Sequence, residues 1–323
     1  MKTLHPLYWI VVFTLTVGLA CSAANVLTGS RSTGAGSTAG NSTDNGSTTG
    51  NGSTTDNGST ASSGLNFGGQ GTGPGLFTDV RGLGVNPATG AIFTADYHDG
   101  RVQAFDPTGK FIKQWLVGSK NAIITGMTAD SKGNVFIVTG GKILRYDPTG
   151  KLIATLAVPD VFINHAVVGA DGNLLASADE ETILRLSPDG KVLSTIEKAF
   201  TANGGDTELD VLVAEDAAGD IYALGTFNNA VFKFSPDGKF VSRFGSNGMS
   251  AGKFTAPECI AVDNKGRVYV GDFQGIQVFD GSGAYQSLIS VQGAARYIVF
   301  DAKDNLYFTT SRNMVVKTAL PNP

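Results

Sequence analysis

Charge is scarce in this chain, and so are cysteine and histidine. Only 16% of the 323 residues are charged, the formal net charge is −4, and there is no basic run. Without one, the long-range attraction that nucleic acid or an anionic membrane surface needs is missing, so no nucleic acid partner is expected. The two cysteines, Cys21 and Cys259, are too few for a disulfide framework. Glycine, by contrast, is abundant: 43 of them, with so little charge, point away from a helical bundle and toward a chain dominated by turns. The 41% hydrophobic content is enough to bury a substantial core.

No hydrophobic run is long enough to span a bilayer comfortably. The apolar stretch from Leu7 to Ala20 follows Lys2 and ends in small residues, which predicts an export signal over residues 1–20. It leads into VGLAC, which resembles a bacterial lipobox, with Gly18 where such boxes usually carry leucine. The resemblance implies cleavage before Cys21, acylation of its thiol, and, beside Ser22, retention at the outer membrane of a Gram-negative host. Ordinary secretion with cleavage near Ala20 or Ala24 is the alternative. An acylated Cys21 cannot pair, so no disulfide is expected and Cys259 reads as a small core hydrophobe. Residues 21–64 are almost entirely Ser, Thr, Gly and Asn, with NGST recurring at Asn45, Asn51 and Asn57. Such a segment has nothing to bury and is expected to be a disordered tether. Its coil dimension of about 35–40 Å would hold a domain clear of a membrane. Asn41, Asn45, Asn51 and Asn57 begin N-x-S/T sequons, which beside a bacterial-type signal read as composition.

The rest of the chain, residues 65–323, repeats. FDPTGK at Phe105 to Lys110 returns as YDPTGK at Tyr146 to Lys151, and as SPDGK at Ser187 and Ser235. Each copy, and the looser FDGSGA at Phe279, lies between two short apolar strands, giving five hairpins. Six further hairpins alternate with them, among them TADSKGNVFIVT and AVDNKGRVYVGD. Two hairpins per unit make a four-stranded antiparallel blade, so the expected fold is all-β, a six-bladed β-propeller. The sixth blade lacks its outermost strand. FGGQGTGPGLFT at Phe67 and FGSNGMSAGKFT at Phe244 share the skeleton F-G-x-x-G-x-x-x-G-x-F-T. Since the second follows an outermost strand, the N-terminal strand at about residues 65–67 is predicted to pair with Asn313 to Thr318 and close the ring.

The unit GKFTAPECIAVDNKGRVYVGDFQGIQVFDGSG, Gly252 to Gly283, and TADYHDGRVQAFDPTGKF from Thr94 resemble NHL-repeat propellers. These share the wider six-bladed fold of the gluconolactonase/regucalcin group. Cys259 stands where the NHL pattern carries glycine. Propellers of this class serve as binding platforms, sensors, lactonases and lyases, so the resemblance speaks to fold far more than to function.

The residues that begin the six inner strands are Arg81, Thr125, Asn164, Val211, Glu258 and Arg296. In gluconolactonase-like relatives this rim holds one divalent cation through carboxylates and amides. Here Glu258 and Asn164 suit that role, with Asp210 one position away, while the two arginines would repel a cation. The three-histidine zinc site of related amidating lyases cannot be assembled from His98 and His165. His98 reads as a solvated loop residue. His165, beside Asn164, is the better candidate, with a packed, hydrogen-bonded histidine as the competing reading. Asp96, Asp179 and Asp272 read as aspartates that tie turns to backbone. No catalytic residue, metal or cofactor is therefore assigned, and the expected ligand-binding set at the channel mouth is Arg81, Asn164, His165, Asp210, Glu258 and Arg296.

The leading functional expectation is a monomeric, lipid-anchored, non-enzymatic propeller facing the periplasm or cell exterior. Its channel face would take a protein, peptide or anionic glycan. The second is a metal-assisted lactonase or lyase-like enzyme, with Ca2+ or another divalent ion, using Glu258, Asn164, Asp210 and His165. Ring closure makes Arg81 and Arg296 neighbours, so one guanidinium is expected to hold a carboxylate, sulfate or uronic acid. Against this stands a rim pair of Arg296 with Glu258 that leaves Arg81 solvated. Should anion binding fail, the insertion from Ala199 to Asp210 is the next place to look.

Overall fold

The computed structural model describes residues 64–320. The expected signal, Cys21 and most of the tether lie outside the described residues. Those described form a six-bladed propeller of four-stranded antiparallel sheets, with one 3₁₀ turn at Thr201–Asn203 as the only helical element among them. Blade one comprises Val80–Val85, Ile92–Asp96, Arg101–Phe105 and Phe111–Leu116; blade two Ile124–Ala129, Val135–Thr139, Lys142–Tyr146 and Leu152–Leu156. Blade three comprises Ile163–Val168, Leu174–Ala178, Thr182–Leu186 and Val192–Ile196; blade four Val211–Glu215, Ile221–Gly225, Ala230–Phe234 and Phe240–Phe244. Blade five comprises Cys259–Val262, Val268–Asp272, Gly275–Phe279 and Tyr285–Ile289. Blade six takes Ala295–Phe300, Asn305–Thr310 and Met314–Ala319 from the C-terminal end and Leu65–Gly68 from the N-terminal end.

The repeated turn works through its first residue. The Asp106 carboxylate accepts the N–H groups of Thr108 (2.8 Å) and Lys110 (3.0 Å) and the Thr108 hydroxyl (2.6 Å). Asp147 repeats this at Thr149 and Lys151. In the SPDGK copies, the Ser187 and Ser235 hydroxyls accept the N–H of Lys191 and Lys239 instead. Serine substitutes because only one acceptor oxygen at that position is needed. Gly109 has φ of 80°, the left-handed conformation that a side chain there would resist.

Burial follows position in the blade. Second strands such as Ile92–Asp96 are buried throughout, whereas the outermost Phe111–Leu116 alternates and Val192–Ile196 is almost wholly exposed. Six apolar clusters fill the spaces between adjacent blades, so each blade is stable only against its neighbours.

Ring closure is as the shared skeleton predicts. Leu65 pairs with Lys317, Asn66 with Val316 and Phe67 with Val315. Phe67 packs against Phe105 of blade one at 4.7 Å between ring centroids. Asn313 then fastens blade six to blade one: its Oδ1 accepts the Val80 N–H at 3.0 Å, and its Nδ2 donates to Gln70 Oε1 and Thr78 O.

Candidate functional site at the channel mouth

Alternating strand direction puts both families of tight turns at one end of the propeller. The loops between second and third strands and the blade-to-blade connectors lie at the other end, where the inner strands begin. This second end is the channel mouth. A cavity of about 820 Å3 is lined by Arg81, Asp210, Phe227, Glu258 and Arg296 at this end, by Met127, His165 and Tyr297 inside, and by Asp130, Glu215 and Asp301 at the far exit.

A β-bulge aims the mouth residues. Strand register skips Arg81, Thr125, Asn164 and Arg296 in blades one, two, three and six. A bulge leaves one residue unpaired and turns its side chain out of the ladder, which is how four of the aligned positions come to share one setting. Val211 and Glu258 are not bulged: Val211 pairs with Gly225, and Glu258 precedes the strand and donates its N–H to Gly271 O at 2.9 Å.

Both arginines have partners. Arg296 Nη1 meets Glu258 Oε2 at 3.0 Å, the rim pair that competed with a free guanidinium. Arg81 is not merely solvated: its Nε donates to both oxygens of Asp79 (3.1 and 3.0 Å), and its guanidinium lies 4.3 Å from the Tyr97 ring centroid. Asn164 donates Nδ2 to the Asp179 carbonyl at 2.6 Å. Asp210 is the odd member. Its surface is open at the mouth, yet desolvation by the surrounding protein, then the charges of Glu208 and Glu258, push its carboxyl up despite a hydrogen bond from Thr226.

His165 does not stand with the others at the rim. It is buried, 4% exposed, because the bulge at Asn164 turns the next side chain into the channel. Its Nδ1 faces the Val213 N–H at 3.4 Å, and its Nε2 lies 3.1 Å from the Tyr297 hydroxyl. A backbone N–H can only donate, so Nδ1 accepts and the proton sits on Nε2. The Tyr297 hydroxyl in turn donates to Met127 O at 2.7 Å and accepts the Met127 N–H at 3.3 Å. One chain of hydrogen bonds thus crosses the channel, from Met127 of blade two through Tyr297 of blade six and His165 of blade three to Val213 of blade four. Burial lowers the His165 pKa to about 4 and raises that of Tyr297, so both are neutral braces at ordinary pH.

Three further carboxylates escaped the sequence reading. Glu208 is fully buried and accepts the N–H groups of Leu209, Asp210, Phe227 and Asn228. Glu181 accepts the N–H and hydroxyl of Thr201 (3.0 and 2.8 Å) and the Glu208 N–H (3.3 Å), fastening the Ala199 to Asp210 insertion. At the far exit, Glu215 pairs with Arg185 across blades three and four, with burial pushing its carboxyl up. A buried carboxylate holding backbone N–H groups leaves no periodic trace in a sequence; only the length of the insertion marked the place. Asp96, Asp179 and Asp272 do tie turns to backbone, through the N–H groups of Thr78 and Asp79, of Phe162, and of Thr255 and Gln274.

Cys259 is buried and free, with burial and then the Glu258 charge pushing its thiol well above the usual range. It should stay unmodified by iodoacetamide in the folded protein and react only on unfolding, read as a mass shift; rapid labelling of folded protein would contradict this burial.

A family described as a 6-bladed β-propeller matches residues 210–318. The human NHL repeat-containing protein 3 is 40% identical over 74 residues, 21% of this chain and 21% of that protein, so the match spans about a fifth of that relative's length. Among solved structures, a gluconolactonase of Xanthomonas campestris matches with a TM-score of 0.59 at 18% identity, over 75% of this chain and 86% of that one. Virginiamycin B lyase of Staphylococcus aureus matches with a TM-score of 0.55 at 15% identity, over 75% and 95%. What these two solved structures share with this chain is the fold.

Proposed function

We propose that this protein is a lipid-anchored, extracytoplasmic binding module whose channel mouth receives a protein, peptide or glycan and performs no chemistry on it. The observation that carries this reading is the use to which the mouth's polar groups are put. At the rim Arg81 is held by Asp79 and Arg296 by Glu258, and inside the channel His165 is held by Tyr297 and Val213, while large apolar side chains stand exposed on one side of the mouth. An arrangement whose arginines are paired, whose histidine is braced and whose apolar groups are open suits recognition better than proton transfer. The end of blade six at which Leu65 enters the ring supports it too. Leu65 pairs with Lys317 at the end of blade six opposite the mouth, so an N-terminal anchor attaches to the far rim.

Changing Cys21 to Ala should move the protein from the membrane to the soluble fraction with its thermal unfolding unchanged; unaltered fractionation would remove the anchor from this reading.

The raised carboxyl of Asp210 favours a second reading, a lactonase or lyase-like enzyme such as the gluconolactonase and virginiamycin B lyase whose fold it shares. Among the described residues no three His, Cys, Asp or Glu side chains converge to hold a metal, so a metal-assisted version would need ligands beyond these groups. Elemental analysis and a lactone-hydrolysis assay on the purified chain separate the two: about one tightly held divalent ion per chain, or turnover abolished by Asp210→Asn, would overturn the binding-module reading.

A further inference from the structure

Large apolar side chains are exposed on one side of the mouth. Phe162 of blade three, Leu209 and Phe227 of blade four and Phe273 of blade five are 55%, 60%, 67% and 69% exposed. On the other side the corresponding places hold Tyr97, covered by Arg81, and the polar Ser311 and Arg312. Single exposed apolar residues are ordinary, but large ones on consecutive blades around one opening mark an interaction surface.

Leu209 and Phe227 are held in place from below. Their backbone N–H groups both bond to the fully buried Glu208 carboxylate, at 3.2 Å for Leu209 and 3.2–3.3 Å for Phe227. Glu181 secures the same insertion one step further back. A side chain presented on so fixed a backbone loses little freedom on binding, which favours affinity.

The charge beside this ledge is mostly of one sign. Asp160, Asp179, Glu180, Glu197, Asp206 and Asp210 are exposed on blades three and four, with two exposed basic residues among them, Lys198 and Arg243, the latter donating to Gly204 O at 2.9 Å. None of the six takes part in a salt bridge among the described residues, although Asp79, Asp99 and Glu258 elsewhere at this end all do. A chain of net charge −4 has thus gathered unpaired acids around its exposed apolar groups.

From this we infer that the ledge formed by Phe162, Leu209 and Phe227 docks a polypeptide segment in which lysine or arginine alternates with apolar residues. The apolar side chains rest on the ledge and the basic ones face Asp206, Asp210 and Asp179. An anionic surface or acidic glycan would be repelled by the same charges, and a neutral sugar would leave them without partners. The inference rests on the binding-module reading and gives its partner a chemistry.

The test is fluorescence-anisotropy titration of the purified full chain with labelled twelve-residue peptides of alternating Lys and Leu, the same peptide with Glu for Lys, and an acidic oligosaccharide. The basic peptide should bind, more weakly as salt is raised, and Leu209→Ala with Phe227→Ala should weaken it about tenfold while leaving the circular dichroism and melting temperature unchanged. Asp206→Asn with Asp210→Asn should flatten the salt dependence. Binding of the Glu peptide or the oligosaccharide, lost on Arg81→Ala or Arg296→Ala, would overturn the ledge yet keep a binding mouth. Binding of no probe, or basic-peptide binding indifferent to both pairs of substitutions, overturns the ledge; absence of any protein, peptide or glycan ligand in a wider screen would be needed to remove the binding module as well. Concentration-dependent self-association abolished by the Leu209→Ala and Phe227→Ala pair would assign the ledge to a second copy of this chain and overturn the peptide assignment.

Discussion

Removing residues 22–60 will leave the melting temperature within a degree or two, while removing residues 22–69 will lower it by roughly 10 °C. The first segment contains almost no apolar side chain to lose. The second contains the strand that completes blade six. With it go the pairings of Leu65, Asn66, Phe67 and Gly68 with Met314–Ala319, and the Phe67 ring against Phe105. The bond from the Gly69 N–H to Asn313 O, 2.7 Å, is lost as well. Burial of two partly covered apolar side chains contributes about 2–4 kcal/mol, and exposure of a sheet edge with its backbone groups adds to the loss. The expected destabilisation is about 3–5 kcal/mol, which for a domain of this size corresponds to the drop stated. Differential scanning calorimetry of the two truncations beside the full chain reads it directly. Equal melting temperatures would mean that the N-terminal strand contributes nothing to closure.

That closure is legible in the sequence, and the reason is physical. A propeller is periodic, so each copy of a turn reports the place of its strands, and a broken period reports what is missing. The skeleton shared by Phe67–Thr78 and Phe244–Thr255 placed the extra strand, and the isolated parallel bridges Gln70 to Phe77 and Asn247 to Phe254 show that the two segments fold alike. The aligned rim positions were legible for the same reason, since Arg81, Thr125, Asn164 and Arg296 occupy one repeated bulge. What could not be read was anything that departs from the repeat. The partner of Arg81 is Asp79, two residues away and outside the aligned set. His165 turned inward because a bulge reverses facing, a local event that periodicity does not register. Tyr297 sits immediately after Arg296, but nothing in AARYIVF says that its hydroxyl crosses to Met127. Contacts across the channel join residues far apart in sequence, such as Met127 and Tyr297, and leave no spacing to detect.

The crossing at His165 makes stability depend on acid in a way that isolates one residue. Folding holds its imidazole neutral, with the pKa lowered by burial from the usual 6.5 to about 4. Above pH 6.5 neither the folded nor the unfolded chain protonates this ring, and its contribution to stability is fully present. Between 6.5 and 4 the unfolded chain takes up the proton while the folded chain does not, so stability falls as pH falls. Below about 4 both states are protonated and the loss levels off. At 1.36 kcal/mol per pH unit, the step from pH 7.5 to 4.5 should cost about 2–3 kcal/mol through this residue alone. Carboxylates also titrate near the lower end, so the quantity to measure is a difference. His165→Gln keeps an amide that can donate to the Tyr297 hydroxyl but gives up the acceptor for the Val213 N–H, and it cannot be protonated. It should destabilise by about 1–2 kcal/mol at pH 7.5, the cost of one buried unpaired N–H. At pH 4.5 that penalty should vanish or reverse, because the variant escapes the proton linkage. Urea midpoints for the wild-type chain and the variant at both pH values supply the four numbers required, and a penalty of the same size at pH 7.5 and 4.5 would show that His165 is not held neutral across the channel.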